Sequence, residues 1–325
     1  MDLHRHFRAL ATVVGFFFVL HPGSAPAQQI SFDKQSQDET LQLNYQWQDT
    51  GGTKHSVQFG INKSKFLDSL ARFRNYERKR ANRELAHQLN RYIKQQRWRG
   101  VNVQLSPRQR SISITPRSAT SNKQSETFRQ QTQKLKAYYV QQWHEYLQAN
   151  HYRRLQLPFT TGGIIPDAVS IAELQRPLLN DLVSQLGEIL KNNSRRNYTN
   201  LVGQFIQSIP YNALQDGIDN RGDGFLPPNQ VLFYNQGDCD SKASLMAAVL
   251  RTIMPQQKMA IIYLPGHALF AVQMPPKDND ATVTVDGTTM VLMEVAGPSL
   301  MAAGTIAVDS QFYIDSGQFT AINID

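Results

Sequence analysis

Apolar and polar residues alternate in two short stretches near the start of the chain. Leu41, Leu43, Tyr45 and Trp47 share one parity, and Val57, Phe59 and Ile61 repeat it beyond Gly51-Gly52. Period two on both sides of a glycine pair predicts a β-hairpin. From Ser64 to Gln96 there is neither proline nor glycine, and Phe66, Leu67, Leu70, Phe73, then Leu85, Leu89, Tyr92 and Ile93 recur at helical spacing. That pattern predicts one long helix or two placed end to end. Val101–Leu105 and Ser111–Thr115 flank Pro107-Arg108-Gln109-Arg110 as a second hairpin, and Phe128, Leu135, Tyr138, Tyr139, Trp143 and Leu147 mark a further helix. Residues 28–160 therefore read as a ββαββα accessory domain.

Two prolines and a glycine pair in Leu157–Pro166 place the expected domain boundary there. Beyond it, helices are expected over about 170–191 and 198–209, the latter stopped by Pro210, followed by a Gly/Asp/Asn/Pro-rich loop over 211–236. A helix over 239–253, strands over 259–264 and 267–273, and a hairpin over 281–295 complete the pattern. The fold class is α+β, with residues 161–325 forming a domain of helices packed on an antiparallel sheet.

With 325 residues, 41% of them hydrophobic, the chain can bury one full core or two. Its charge is divided: residues 201–325 carry 5 Lys and Arg against 12 Asp and Glu, and residues 1–200 carry 29 against 14. Between Arg72 and Arg110, twelve basic residues are opposed only by Glu77 and Glu84, a density that attracts polyanions. At the start, Arg5 and Arg8 precede an apolar run, Ala9–Leu20, and an Ala25-Pro26-Ala27 site. This reads as a signal peptide over residues 1–27, because the run falls short of the roughly 20 residues needed to span a bilayer. No later stretch is long and apolar enough to span, so a periplasmic or secreted protein is expected.

The single cysteine, Cys239, excludes an internal disulfide and any cysteine-rich metal site. It stands where an irregular loop enters an apolar helix, with Asp238 as candidate N-cap. A helix start favours thiolate, whereas Asp238 and Asp240 oppose it, so a histidine partner decides the matter. His267 opens a β-rich run after Pro265-Gly266 and is the candidate base. Two acids compete to orient it. Asp286-Gly287 is already explained as a hairpin turn, whereas Glu294 ends an apolar strand and calls for a partner. Glu294 is preferred, on the expectation that strand 288–294 pairs antiparallel with 267–273 and sets it opposite His267.

These residues resemble the bacterial transglutaminase-like superfamily of cysteine peptidases, amidases and acyl transferases over about residues 170–300. The resemblance rests on Phe205-Ile-Gln-Ser-Ile-Pro-Tyr211, Gly224-Phe-Leu-Pro-Pro228, Gly237-Asp-Cys-Asp240 leading to Lys242-Ala243, Gly266-His-Ala268 and a later acid strand. Glu294 stands where the family usually has Asp. The resemblance implies a papain-like core in which Cys239 attacks an amide or ester carbonyl, His267 shuttles the proton and Glu294 fixes the imidazole tautomer. The Cys239 backbone N–H would be one oxyanion donor, with Tyr211 or Gln236 as candidates for a second; Tyr211 is equally explained as core at its helix end.

Other signals lead elsewhere. Asp219–Gly224 imitates the start of a calcium loop, but Arg221 and Gln230 occupy ligand positions, so an ordinary turn is expected. No HExxH, GxxxxGK[ST] or GxGxxG pattern is present, and neither metal nor cofactor is expected. The expected partners are a protein or peptide substrate and, at the basic region, a polyanionic envelope component; export argues against nucleic acid. Loss of chemistry, leaving a binding or assembly module, is the competing reading.

Overall fold

The computed structural model describes residues 28–108, 110–158, 162–190, 194–214 and 224–324. The expected signal peptide and all but the last residue of the calcium-like turn lie outside them. The chain is mixed α+β, and its sheets are antiparallel.

Strands β1 (Gln28–Gln37), β2 (Thr40–Gln48) and β3 (Lys54–Asn62) form a three-stranded meander rather than a hairpin. The first strand escapes a pattern search because QQISFDKQSQ contains only Ile30 and Phe32 as apolar residues and pairs along one edge. Two helices then follow end to end, α1 (Lys63–Arg72) and α2 (Arg78–Gln95), separated where Phe73 turns extended. The hairpin β4 (Val101–Leu105) and β5 (Ile112–Pro116) and the long α3 (Asn122–Ala149) close the first half.

A division at residue 160 is not what the packing shows. β6 (Tyr152–Leu155) pairs with β7 (Gly163–Pro166) across the expected boundary. More consequentially, the alternating face of β2 and β3 belongs to the main core: Leu43, Tyr45, Trp47 and Phe59 cluster with Leu182, Phe205 and Ile206. Tyr45 meets Phe205 edge-on at 5.2 Å, and its hydroxyl donates to the Leu232 carbonyl at 2.5 Å. On either side of the expected boundary, Leu155, Leu157 and Ile165 pack against this same core. α2, the β4–β5 hairpin and α3 form two small clusters apart from the main core, one around Leu89 with Leu135 and one around Leu85 with Tyr146, which Tyr152 of β6 joins.

In the second half, the helical stretch expected over 170–191 is broken into α4 (Ala168–Gln175), a 3-10 turn (Arg176–Leu179) and α5 (Asn180–Ile189). Pro177 lacks the N–H an unbroken helix would need. α6 (Arg195–Ser208), capped by Ser194, and α7 (Pro228–Tyr234) precede the central α8 (Cys239–Ile253). α8 lies against a five-stranded sheet formed by β8 (Met259–Leu264), β9 (His267–Val272), β10 (Thr282–Val285), β11 (Thr288–Met293) and β12 (Thr320–Ile324), ordered β10-β11-β9-β8-β12. One sheet face joins the main core; the other forms a second cluster, including Ile262, Leu269 and Leu292, beside α9 (Val308–Asp315). The buried Arg251 guanidinium donates to the carbonyls of Pro255, Gln257 and Ile324, tying α8 to the last strand. Among the described residues, no helix is long and apolar enough to cross a membrane.

Candidate active site

Cys239 is the first residue of α8. Asp238 adopts an extended conformation before it and accepts from the Ser241 backbone N–H at 3.2 Å, the expected N-cap. Asn235, left-handed at φ 51°, ends α7, and a parallel bridge between Tyr211 and Gly237 fixes the approach to the cysteine. Gly237 has little room to spare: a Cβ there would sit 3.3 Å from Val231 and 3.4 Å from Lys242.

Cys239 is half-buried as a residue, its thiol is turned inward, and the backbone N–H of Ala268, the residue after His267, works to lower the thiol pKa. α8, which Cys239 opens, packs against β9, which His267 opens. His267 donates from Nε2 to Glu294, 3.0 Å from each carboxylate oxygen, which leaves Nδ1 as the ring nitrogen for a second partner. Glu294 is buried, and its Oε1 also accepts from the backbone N–H groups of Val295 and Ala296 at 3.1 and 3.2 Å. Those bonds curl the chain back on the carboxylate. β11 consequently stops at Met293, opposite Phe270, and Glu294 reaches His267 from beyond the ladder instead of standing directly opposite it.

Asp286 lies at the other end of β11. It occupies the β10–β11 turn with Gly287, both at positive φ, and accepts from Asn323 at 2.7 Å. This is the two-residue hairpin turn that Asp-Gly favours.

Burial raises the Cys239 thiol well above its ordinary pKa, and the neighbouring Asp240 and Asp238 carboxylates raise it further, against the Ala268 N–H. The resting sulfur is therefore protonated, and the helix start does not prevail over its surroundings. Burial likewise raises Asp240, with the adjacent Asp238 adding to the shift. At His267, burial disfavours the imidazolium, but the hydrogen bond to Glu294 and its charge outweigh it and raise the pKa. The arrangement is a protonated thiol at the start of α8 and, at the start of the strand packed against that helix, a histidine whose base strength an acid increases.

Tyr211 is 47% exposed, so it is not core at a helix end. Burial of its hydroxyl, followed by the charges of Cys239, Asp238, Asp240 and Glu294, pushes its pKa to about 12, which keeps it a proton donor. Gln236 accepts from Asn212 through Oε1 at 2.9 Å.

Sequence reading gave no role to two residues that frame this site. Gln207 on α6 donates to the Glu294 and Met301 carbonyls at 2.6 and 3.0 Å and accepts from the Met301 N–H at 3.0 Å. Lys242, one turn past Cys239, is fully buried. Both lie in segments that carry the family resemblance, but nothing in their spacing indicates what they bond to. Among the described residues, no group of three or more His, Cys, Asp or Glu could hold a metal ion.

In comparisons with known proteins, no family model, curated protein or solved structure matches the chain.

Proposed function

We propose that the protein is an exported thiol enzyme of transglutaminase-like type, acting on peptide or amide bonds through Cys239, His267 and Glu294. The observation that carries this reading is the contact of His267 Nε2 with both oxygens of a buried carboxylate, at the start of the strand packed against the helix that Cys239 opens. In this mechanism neutral His267 takes the thiol proton through Nδ1 as sulfur attacks the carbonyl carbon. The sulfur–carbon bond forms, the carbonyl electrons move to oxygen, and Glu294 stabilises the imidazolium. The imidazolium then gives its proton to the leaving amine as the carbon–nitrogen bond breaks, leaving a thioester. Water, activated in turn by His267, releases the acid; hydrolysis is favoured over transfer to an amine. The Cys239 N–H at the start of α8 and the Tyr211 hydroxyl are the groups suited to the oxyanion.

A panel of peptide amides and activated esters tests the proposal. Turnover by the wild-type protein that Cys239→Ala abolishes is expected; equal turnover by both would end it. An inactive binding module is the reading that would then remain.

The basic region fits a tether to a polyanionic envelope component. Lys79, Arg83, His87 and Arg91 are exposed along one stripe of α2 at four-residue spacing, with Lys94 continuing it. Removing charges there should lower the salt needed to elute the protein from heparin more than removing as many at Lys258 and Lys277.

A further inference from the structure

Lys242 is fully buried, yet its hydrogen-bond acceptors are two backbone carbonyls instead of a carboxylate. Nζ donates to Ile209 at 2.5 Å and to Ala296. A buried ammonium is costly, and an apolar side chain of similar size would serve packing better. The location of those carbonyls suggests what the lysine does. Ile209 ends α6 and leads through Pro210 into Tyr211; Ala296 lies two residues past Glu294, in the turn whose N–H groups hold that carboxylate. One amine on the nucleophile's helix thus grips the segment that carries the acid and the segment that carries Tyr211. Gln207 on α6 holds the same segment through the Glu294 and Met301 carbonyls, without charge.

Resting on the enzyme reading above, we propose that Lys242 is the positioning residue of the Cys239–His267–Glu294 site. It joins the nucleophile's helix to the acid's loop and supplies the positive charge that faces Glu294 and a Cys239 thiolate. The groups around it are Glu294 from the β11 side and Asp238 and Cys239 from its own helix. Burial lowers its pKa to about 7, against the opposing pull of Glu294, Asp238 and Cys239, so the charge is present below neutrality and lost above it. The ammonium should therefore assist thiolate formation in acid and neutral solution only.

Iodoacetamide alkylation of Cys239, followed from pH 5.5 to 10 in wild type, Lys242→Met and Lys242→Gln, tests this without any substrate. The expected result is folded variants that react about three- to tenfold more slowly than wild type near pH 6, with the difference vanishing above pH 9. A variant whose melting temperature falls while its alkylation profile matches wild type would overturn the proposal, since the lysine would then be structural only. A ratio constant with pH would also overturn it. If neither variant folds, nitrogen-15 NMR of the wild-type lysine Nζ and of Glu294→Gln decides. Loss of the facing carboxylate should move the Lys242 midpoint below about 7, and an unmoved midpoint would overturn the coupling. Absence of turnover on every substrate would sink the enzyme reading and leave these alkylation and NMR results interpretable.

Discussion

Nε2 of His267 stands 3.0 Å from both carboxylate oxygens of Glu294, joining the first residue of one strand to the residue just past its neighbour. Two chain features bring about this contact. Positive φ at Gly266 turns β8 into β9, and the bonds from Val295 and Ala296 aim the carboxylate.

Glu294→Gln should cut turnover by about two to four powers of ten, because the amide neither fixes the tautomer nor stabilises imidazolium. Asp286→Asn should be nearly silent, since Asn-Gly makes the same turn. The pair also affects stability. His267 has a raised pKa in the folded state, so its contribution is full below the unfolded imidazole value of about 6.5 and is lost as pH rises through the folded value. The melting-temperature difference between wild type and Glu294→Gln should therefore shrink on going from pH 6 to pH 8. A difference that grew over that range would contradict the pairing.

Cys239 should alkylate more slowly at pH 7 than a small free thiol, because burial, Asp240 and Asp238 hold it protonated. Asp240→Asn should accelerate the reaction by removing one of those charges. Measured rates against pH decide: a fast, pH-independent reaction around neutrality would mean a preformed ion pair in place of a neutral thiol.

Much of the candidate site is legible in the sequence because its residues stand at local punctuation. Cys239 follows a helix cap, His267 follows a Pro-Gly turn, and Glu294 is an acid at the end of an apolar strand; each is a departure from pattern within a few residues. The reach of Lys242 to Ile209 and Ala296, and of Gln207 to Glu294 and Met301, crosses 33 to 94 residues and leaves no local trace. The same limit applies to the fold. β2 and β3 announce themselves by alternation, but nothing in that alternation says that Tyr45 and Trp47 pack on Phe205. β1 and β12 are sheet-edge strands with weak alternation.

That shared core has a consequence for dissection of the chain. A fragment of residues 161–325 would lose the meander that covers Phe205 and should fail to give a cooperative thermal transition. In the whole chain, Phe205→Ala should cost about 3–5 kcal/mol, as for a large aromatic in a close-packed core. A thermal melt of the fragment checks the first and chemical denaturation of the full-length variant the second. A fragment melting as sharply as the full protein would show that the meander is dispensable.

The central claim, that Cys239 is a nucleophile served by His267, is tested most directly by intact-mass measurement after incubation with an activated acyl ester. The account predicts one acyl group on Cys239 in the folded wild-type protein, none in Cys239→Ala, and strongly slowed addition and release in His267→Ala. Acylation of the cysteine only after denaturation, or at the same rate with and without His267, would contradict it.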